Sequence, residues 1–261
     1  MALTLGKKLR LSQIIDQSSG TSLILEADQG LALGPAPGVE DLASTLKGLK
    51  GLVDAVILSK GQVGRAIDAF KGRGAPALII RADWTSAFRG GDFVLPAKGV
   101  TYAPSAGAEE ALTLGASGVA SHLFVGYERD EDEAANVRSI AGLARECEEC
   151  GVPLLVEAIP RGERVTKENY LDCARFAARV AVEVGADLVA TPYKRDPNVV
   201  RKVVEGTRAP TLVLEVDEPV SREGLKGALE AGASGLIIGK KSIGSGELPK
   251  LLDGIKKLMR G

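Results

Sequence analysis

The sequence predicts a single (β/α)8 barrel domain spanning residues 1–261. Three observations carry that expectation. The length of 261 residues is close to the roughly 250 that one such barrel needs. Eight short apolar runs recur along the chain, and amphipathic stretches lie between them with no Ser/Pro-rich linker. An open doubly wound sheet is the alternative architecture; the eightfold count favours closure.

The runs are Ser22–Ala27, Ala55–Ser59, Ala77–Ala82, Gly118–His122, Leu154–Ala158, Leu188–Thr191, Thr211–Val216 and Gly235–Ile238. Each is nearly continuous in Val, Ile, Leu and Ala, as parallel strands covered on both faces require. Helical spacing of apolar residues marks Glu133–Cys150 and Lys167–Val184, and Asp130, Glu131, Asp132 and Glu133 stand just before the first of these. Three strands are entered through one short phrase, at Gly115-Ala116, Gly185-Ala186 and Gly232-Ala233. There a left-handed glycine would end a helix and a small alanine would let the chain turn. Trp84 to Ser105 is too long for a plain third βα loop and reads as a lid or a surface excursion.

Composition narrows the function. The chain has 33 basic and 34 acidic side chains, a net charge of -1, 45% hydrophobic and 26% charged residues. That balance fits a soluble globular protein and disfavours a nucleic-acid or anionic-membrane binder. No apolar run reaches the ~20 residues of a membrane span, and the first residues lack a signal-peptide core. Three cysteines make no closed disulfide framework, which predicts a reducing cytoplasm. A single histidine, His122, removes chemistries that need two.

In a barrel, function sits where the strands end. Those ends carry Asp28 and Gln29; Lys60; Arg81 and Asp83; His122; Glu157 and Arg161; Tyr193, Lys194 and Arg195; Glu215, Asp217 and Glu218; and Gly239, Lys240 and Lys241. Charged groups are costly within apolar strands unless paired, so their collection at one rim is the functional signal. Asp28 stands out: a carboxylate directly after the first strand could move a proton or hold a cation. Gly30, Gly34, Pro35, Pro37 and Gly38 are expected to keep a helix from starting beside it. Cys147 and Cys150 read as structural, Trp84 and Phe88 as packing of a long loop, and Lys256-Lys257 as a solvated face.

The segments Ala27-Asp-Gln-Gly30…Gly34-Pro35, Leu58-Ser-Lys-Gly61, Ile159-Pro-Arg-Gly162, Gly185-Ala-Asp-Leu-Val189…Tyr193…Asp196 and Gly235-Leu-Ile-Ile-Gly239 follow one family in order and spacing. The chain resembles the archaeal-type class I fructose-bisphosphate aldolases and the related aminodideoxyheptulosonate synthases. That resemblance implies a (β/α)8 fold, Schiff-base aldol chemistry on phosphorylated ketose-type substrates in carbohydrate metabolism, and a homo-oligomer. It also implies departures. Ala190 stands where the family has its imine-forming lysine, Ile159 where it has a tyrosine, and Gln29 where it has a histidine. Glu215-Val-Asp217-Glu218 replaces the glycine pair that holds the substrate phosphate. Gly239-Lys240-Lys241 matches the family's Gly-Arg.

The resulting expectation is an aldol-type carbon–carbon lyase on a small sugar or hydroxyketone, phosphorylated or not. Asp28 would transfer a proton or anchor substrate, Glu157 would be a second acid–base group, and Lys60 or Lys194 would supply the amine. Arg161, His122, Gly239, Lys240 and Lys241 would bind substrate, Gly239 with Lys240 holding an anion. No cofactor is required on that reading. Two alternatives stand beside it: a metal-assisted enzyme using Asp28, Asp83, Glu157, Glu215, Asp217 and His122 around a divalent ion, and a non-catalytic sugar-phosphate binder.

Overall fold

The computed structural model describes residues 4–260. Its barrel strands are β1 (Ser22–Glu26), β2 (Ala55–Ser59), β3 (Ala77–Arg81), β4 (Gly118–Val125), β5 (Leu154–Pro160), β6 (Leu188–Pro192), β7 (Thr211–Leu214) and β8 (Gly235–Ile238). Each strand pairs in parallel with its sequence neighbours, and β1 pairs with β8 to close the cylinder. The predicted (β/α)8 barrel is therefore the observed one. Alternation along the strands builds two apolar layers. Ile24, Ile57, Ile79, Leu155, Leu188 and Ile237 fill the interior. Leu25, Val56, Ile80, Val156, Val189 and Leu236 face the surrounding helices. Full burial of each such side chain contributes about 1.5–3 kcal/mol, which is why both faces of every strand are apolar.

The main helices are α1 (Leu5–Ile14), α2 (Ala108–Thr113), α3 (Asp130–Cys150), α4 (Tyr170–Glu183), α5 (Pro197–Thr207), α6 (Arg222–Glu230) and α7 (Leu248–Arg260). The recurrent glycines behave as the spacing predicts: Gly115, Gly185 and Gly232 have φ of 77°, 109° and 100°. No helix among the described residues is long and apolar enough to cross a membrane.

Several boundaries move for physical reasons. β4 and β5 run longer than expected because they share a seven-pair register, from Val119 opposite Leu154 to Val125 opposite Pro160. The acidic run Asp130–Glu133 does not precede α3 but forms its first turn, where carboxylates meet the positive end of the helix dipole. β7 stops at Leu214. Contrary to the reading of the glycines and prolines after Asp28, a single helical turn, Gly30–Leu33, does start there, ended by Gly34 at φ 73°. Asp28 does not cap it, because its carboxylate is engaged elsewhere. Lys256 is not simply solvated: its ammonium donates to the Gly51 carbonyl and lies 3.7 Å from Asp54.

The N-terminal helix closes the end of the barrel opposite the strand C-termini. Ile14 and its neighbours Leu11 and Ile15 pack on the interior layer, and Ser22 Oγ donates to the Ile14 carbonyl at 2.7 Å. Lys7 fastens this plug. Its buried ammonium lies 2.8 Å from both Glu148 and Asp187, and Asp187 also accepts from the Leu154 N–H. Burial works against the charge, but the two carboxylates outweigh it and raise the Lys7 pKa. The raised pKa means the stabilisation is complete below the ordinary lysine value of 10.5 and is lost as pH rises through the folded one. Lys7→Met should lower stability by about 3 kcal/mol at neutral pH by stranding Asp187, read as a shift in the urea midpoint.

Candidate active site

The strand ends converge on one guanidinium. Arg81 is the last residue of β3, and its inward register brings it among carboxylates from three other elements. Its Nε donates to Asp28 at 2.5 Å, and one terminal nitrogen donates to Glu26 at 2.9 Å and Glu157 at 2.5 Å. Arg81 is 1% exposed and Glu157 is fully buried, so an uncompensated charge here would be expensive. Lys240, just beyond β8, is the second buried cation, ion-paired with Glu26 and 3.7 Å from Glu157.

His122 and Glu157 are direct register partners on β4 and β5. Asp83 fixes the imidazole from behind, accepting at 2.8 Å from Nδ1 and at 3.1 Å from the His122 backbone N–H. Asn136 of α3 donates to the His122 carbonyl. The ring is thereby turned so that Nε2 lies 3.1 Å from Glu157 Oε2, without hydrogen-bond geometry. Glu26 Oε2, His122 Nε2, Glu157 Oε2 and Gln29 Oε1 are all buried without a hydrogen-bond partner. Such orphans are rare in native interiors.

Electrostatics divides the two glutamates. Burial pushes the Glu26 carboxyl up; Lys240 pulls it down, Glu157 and Asp28 push it further up, and the balance is about 7. Burial also works against ionising Glu157, yet Arg81, Lys240 and His122 hold it well below the usual range. For His122, burial and Arg81 disfavour the charged ring, but Asp83 and Glu157 prevail and raise its pKa. Lys240 is likewise raised, because Glu26 and Glu157 outweigh its burial.

A pocket opens over this ensemble, lined among others by Asp28, Arg81, His122, Arg161 and Lys240. Phe88, from the long segment after β3, reaches across it. Its ring centroid is 5.4 Å from that of His122, with the Lys240 ammonium 4.5 Å and the Arg161 guanidinium 5.3 Å away. Asp83–Trp84 pairs antiparallel with Ala103–Pro104, so the segment leaves and rejoins the barrel at one point. Trp84 and Phe88 both line the pocket, which corrects their reading as ordinary loop packing.

A second feature lies between β7 and β8. Glu215 is fully buried. Its Oε2 accepts from the backbone N–H groups of Gly239 and Lys241, both at 3.0 Å, and of Ser242 at 3.2 Å; Oε1 accepts from Ser242 Oγ at 2.6 Å. Gly239, at φ 153°, permits this arrangement, since a Cβ there would collide with the Glu26 carbonyl oxygen. A nest of backbone N–H groups at this place in a barrel is a ready anion site. Here the chain's own carboxylate fills it.

The sequence profile of the DeoC/LacD family aldolases matches residues 22–244. The chain belongs to this family. An uncharacterized aldolase of Saccharolobus solfataricus is 29% identical, over 98% of this chain and 94% of that protein. The 2-amino-3,7-dideoxy-D-threo-hept-6-ulosonate synthase of Halobacterium salinarum is 27% identical over 90% of this chain and 84% of its own length. The crystal structure of an archaeal fructose 1,6-bisphosphate aldolase superposes with a TM-score of 0.80 at 25% identity, covering 98% of this chain and 99% of the other.

As a DeoC/LacD aldolase, the chain places its expected site residues unevenly. Asp28, His122, Glu157 and Lys240 meet at the centre, while Arg161 and Lys241 line the pocket from its rim. Neither expected amine lines this pocket, although Lys60 borders an adjoining cavity that also touches Asp28 and Arg81. Lys60 forms an exposed ion pair with Glu110 at 2.8 Å. Lys194 sits over the Tyr170 ring at 4.6 Å and 3.7 Å from Asp217. Each is drawn to a nearer carboxylate. The anion clamp expected of Gly239, Lys240 and Lys241 is also corrected: Glu215 takes the backbone donors, and Lys240 is held by Glu26 and Glu157. Of the six groups expected around a metal, only Glu157 and His122 stand together; Asp28 serves Arg81, Asp83 serves His122, and Asp217 pairs with Arg161 at the rim.

Glu26 escaped sequence reading, hidden inside the apolar run Leu23-Ile-Leu-Glu-Ala27. Its two-residue spacing from Asp28 was the available signal, since both then face the interior. Arg81→Met should lower stability by about 3–5 kcal/mol. The stranded carboxyls would bind protons more readily folded than unfolded, so the variant's deficit should be smaller at pH 5.5 than at pH 8; paired denaturant titrations check both.

Proposed function

We propose that this protein is an aldol-type carbon–carbon lyase acting on a small, polar carbonyl compound without a terminal phosphate, and that it works without an imine. The observation that carries the reading is the Arg81-centred convergence of Glu26, Asp28, Asp83, His122, Glu157 and Lys240 beneath the pocket. Its members stand at the strand ends, where barrel enzymes do their chemistry.

The absence of an imine follows from the amines. Ala190, which the resemblance aligns with the family's reactive lysine, is buried beside Glu157 in register and offers only a methyl group. Lys240 lines the pocket, but its raised pKa keeps it an ammonium, and a nucleophilic lysine needs the opposite shift. In the proposed cleavage, Asp28 takes the proton of the substrate's β-hydroxyl and the Cα–Cβ bond breaks. The electron pair passes to the carbonyl oxygen, and the resulting enolate is stabilised by the Lys240 charge. Asp28 then returns its proton to carbon, so no external acid is consumed. Gln29 Oε1, buried and unpartnered, is suited to accept from a substrate hydroxyl.

Glu215 supports the substrate class. An incoming phosphate would have to displace a carboxylate that already holds three backbone donors and a hydroxyl. Retro-aldol assays on matched ketoses and hydroxyketones, with and without a terminal phosphate, should favour the unphosphorylated member by at least about tenfold in kcat/KM, or roughly 1.4 kcal/mol. Turnover confined to the phosphorylated members would overturn this assignment.

Asp28→Asn should lower kcat by about 10²- to 10⁴-fold, whereas Lys60→Ala and Lys194→Ala should leave it nearly unchanged. Borohydride added during turnover should leave every lysine unmodified by mass spectrometry. A substrate adduct on any lysine would reinstate imine chemistry. Glu215→Ala should open the nest, so that inorganic phosphate inhibits the variant and not the parent.

A further inference from the structure

We infer that Glu26, His122 and Glu157 form a binding site for one divalent transition-metal ion, of the class Mn²⁺, Fe²⁺, Co²⁺ or Zn²⁺. One ligand atom from each residue lies within 4.8 Å of the other two, and all three side chains are buried. Ligand atoms about 2.1 Å from a common ion stand roughly 3–3.5 Å apart, so small side-chain rotations complete the geometry.

The unpartnered atoms point the same way. Glu26 and Glu157 each give Oε1 to Arg81 and keep Oε2 without a hydrogen bond. Lys240 donates to Oε1 of Glu26, and it lies 3.7 Å from Oε2 of Glu157, an ion pair without a hydrogen bond. His122 gives Nδ1 to Asp83 and keeps Nε2 free. The three spare atoms, two carboxylate oxygens and an imidazole nitrogen, are the donors a first-row dication takes. The Asp83–His122 hydrogen bond is the outer-sphere contact that orients a metal-binding histidine and selects its tautomer.

Charge agrees with geometry. Glu26, Asp28, Asp83 and Glu157 are four carboxylates around two permanent cations, Arg81 and Lys240. With Glu26 ionised and His122 neutral, as metal ligands must be, the two negative charges left over are what one dication balances. Glu26 and His122 both line the pocket, so an ion held between them would keep its open coordination positions toward it. There an ion would polarise a substrate carbonyl and take up enolate charge. That catalytic role rests on the lyase reading above; the binding itself does not.

The test uses the full chain, stripped with EDTA and titrated with Co²⁺ and with Mn²⁺ in the absence of substrate. Visible d–d bands saturating at one Co²⁺ per chain, with a rise in melting temperature, are expected. Asp83→Asn should weaken Co²⁺ binding by about 10- to 100-fold, and His122→Gln should abolish the bands. If wild-type protein gives neither bands nor a thermal shift, the site is overturned; the same holds if His122→Gln binds Co²⁺ as tightly as the parent. Retro-aldol turnover that persists in EDTA without bound metal would overturn the ion's catalytic role and spare the lyase. Stoichiometric Co²⁺ on a protein that cleaves no carbonyl compound would do the reverse.

Discussion

A single buried guanidinium sets the terms for the rest of this barrel. Arg81 touches carboxylates from β1, the β1 loop and β5, and it can do so only because β3 delivers it inward at the height where those elements end. Arginine suits the position better than lysine would. Its planar fork offers several donors in fixed directions and stays charged at any physiological pH. Removing water from four acids is tolerable only with such a counter-charge at the centre. The apolar layer beneath supplies the rigidity that keeps the fork aligned, so packing and electrostatics at the site are one problem.

The architecture was legible because its cause is local. A parallel strand buried on both faces must be apolar throughout, and eight such runs at regular spacing leave little freedom once the helices between them are counted. Boundaries were less legible, since the extra length of β4 and β5 comes from their mutual register, a property of the pair. At the site, strand-end position found Asp28, His122, Glu157 and Lys240 but could not tell which side chains turn inward. Lys60 and Lys194 end on surface carboxylates that are distant in sequence, Glu110 and Asp217. Glu26 was masked by the apolar run around it. Glu215 was read as a strand-end carboxylate standing where the glycine pair would be, and only its hydrogen bonds show that it fills the backbone nest itself.

These differences form a consistent pattern. The chain has a methyl at the strand-six position, a carboxylate in the nest at strands seven and eight, and an acid–base ensemble centred on Arg81. Each change alone would damage a phosphate-binding, imine-forming site. On the function proposed above, together they describe a barrel that keeps its framework while charge stabilisation moves from a covalent bond to a field. Family membership therefore predicts the scaffold better than it predicts the chemistry.

The plug made by α1 has a consequence for traffic. With Ile14 packed on the interior layer and Lys7 tying the helix to Glu148 and Asp187, the barrel is sealed at the end away from the strand C-termini. Entry to the site is therefore from the strand C-terminal end, where the pocket beside Phe88 opens over Arg81. A cleavage that makes two fragments in such a cul-de-sac has a built-in queue. On the proposed lyase reading, the fragment nearer the doorway would leave before the one lodged against the charged floor.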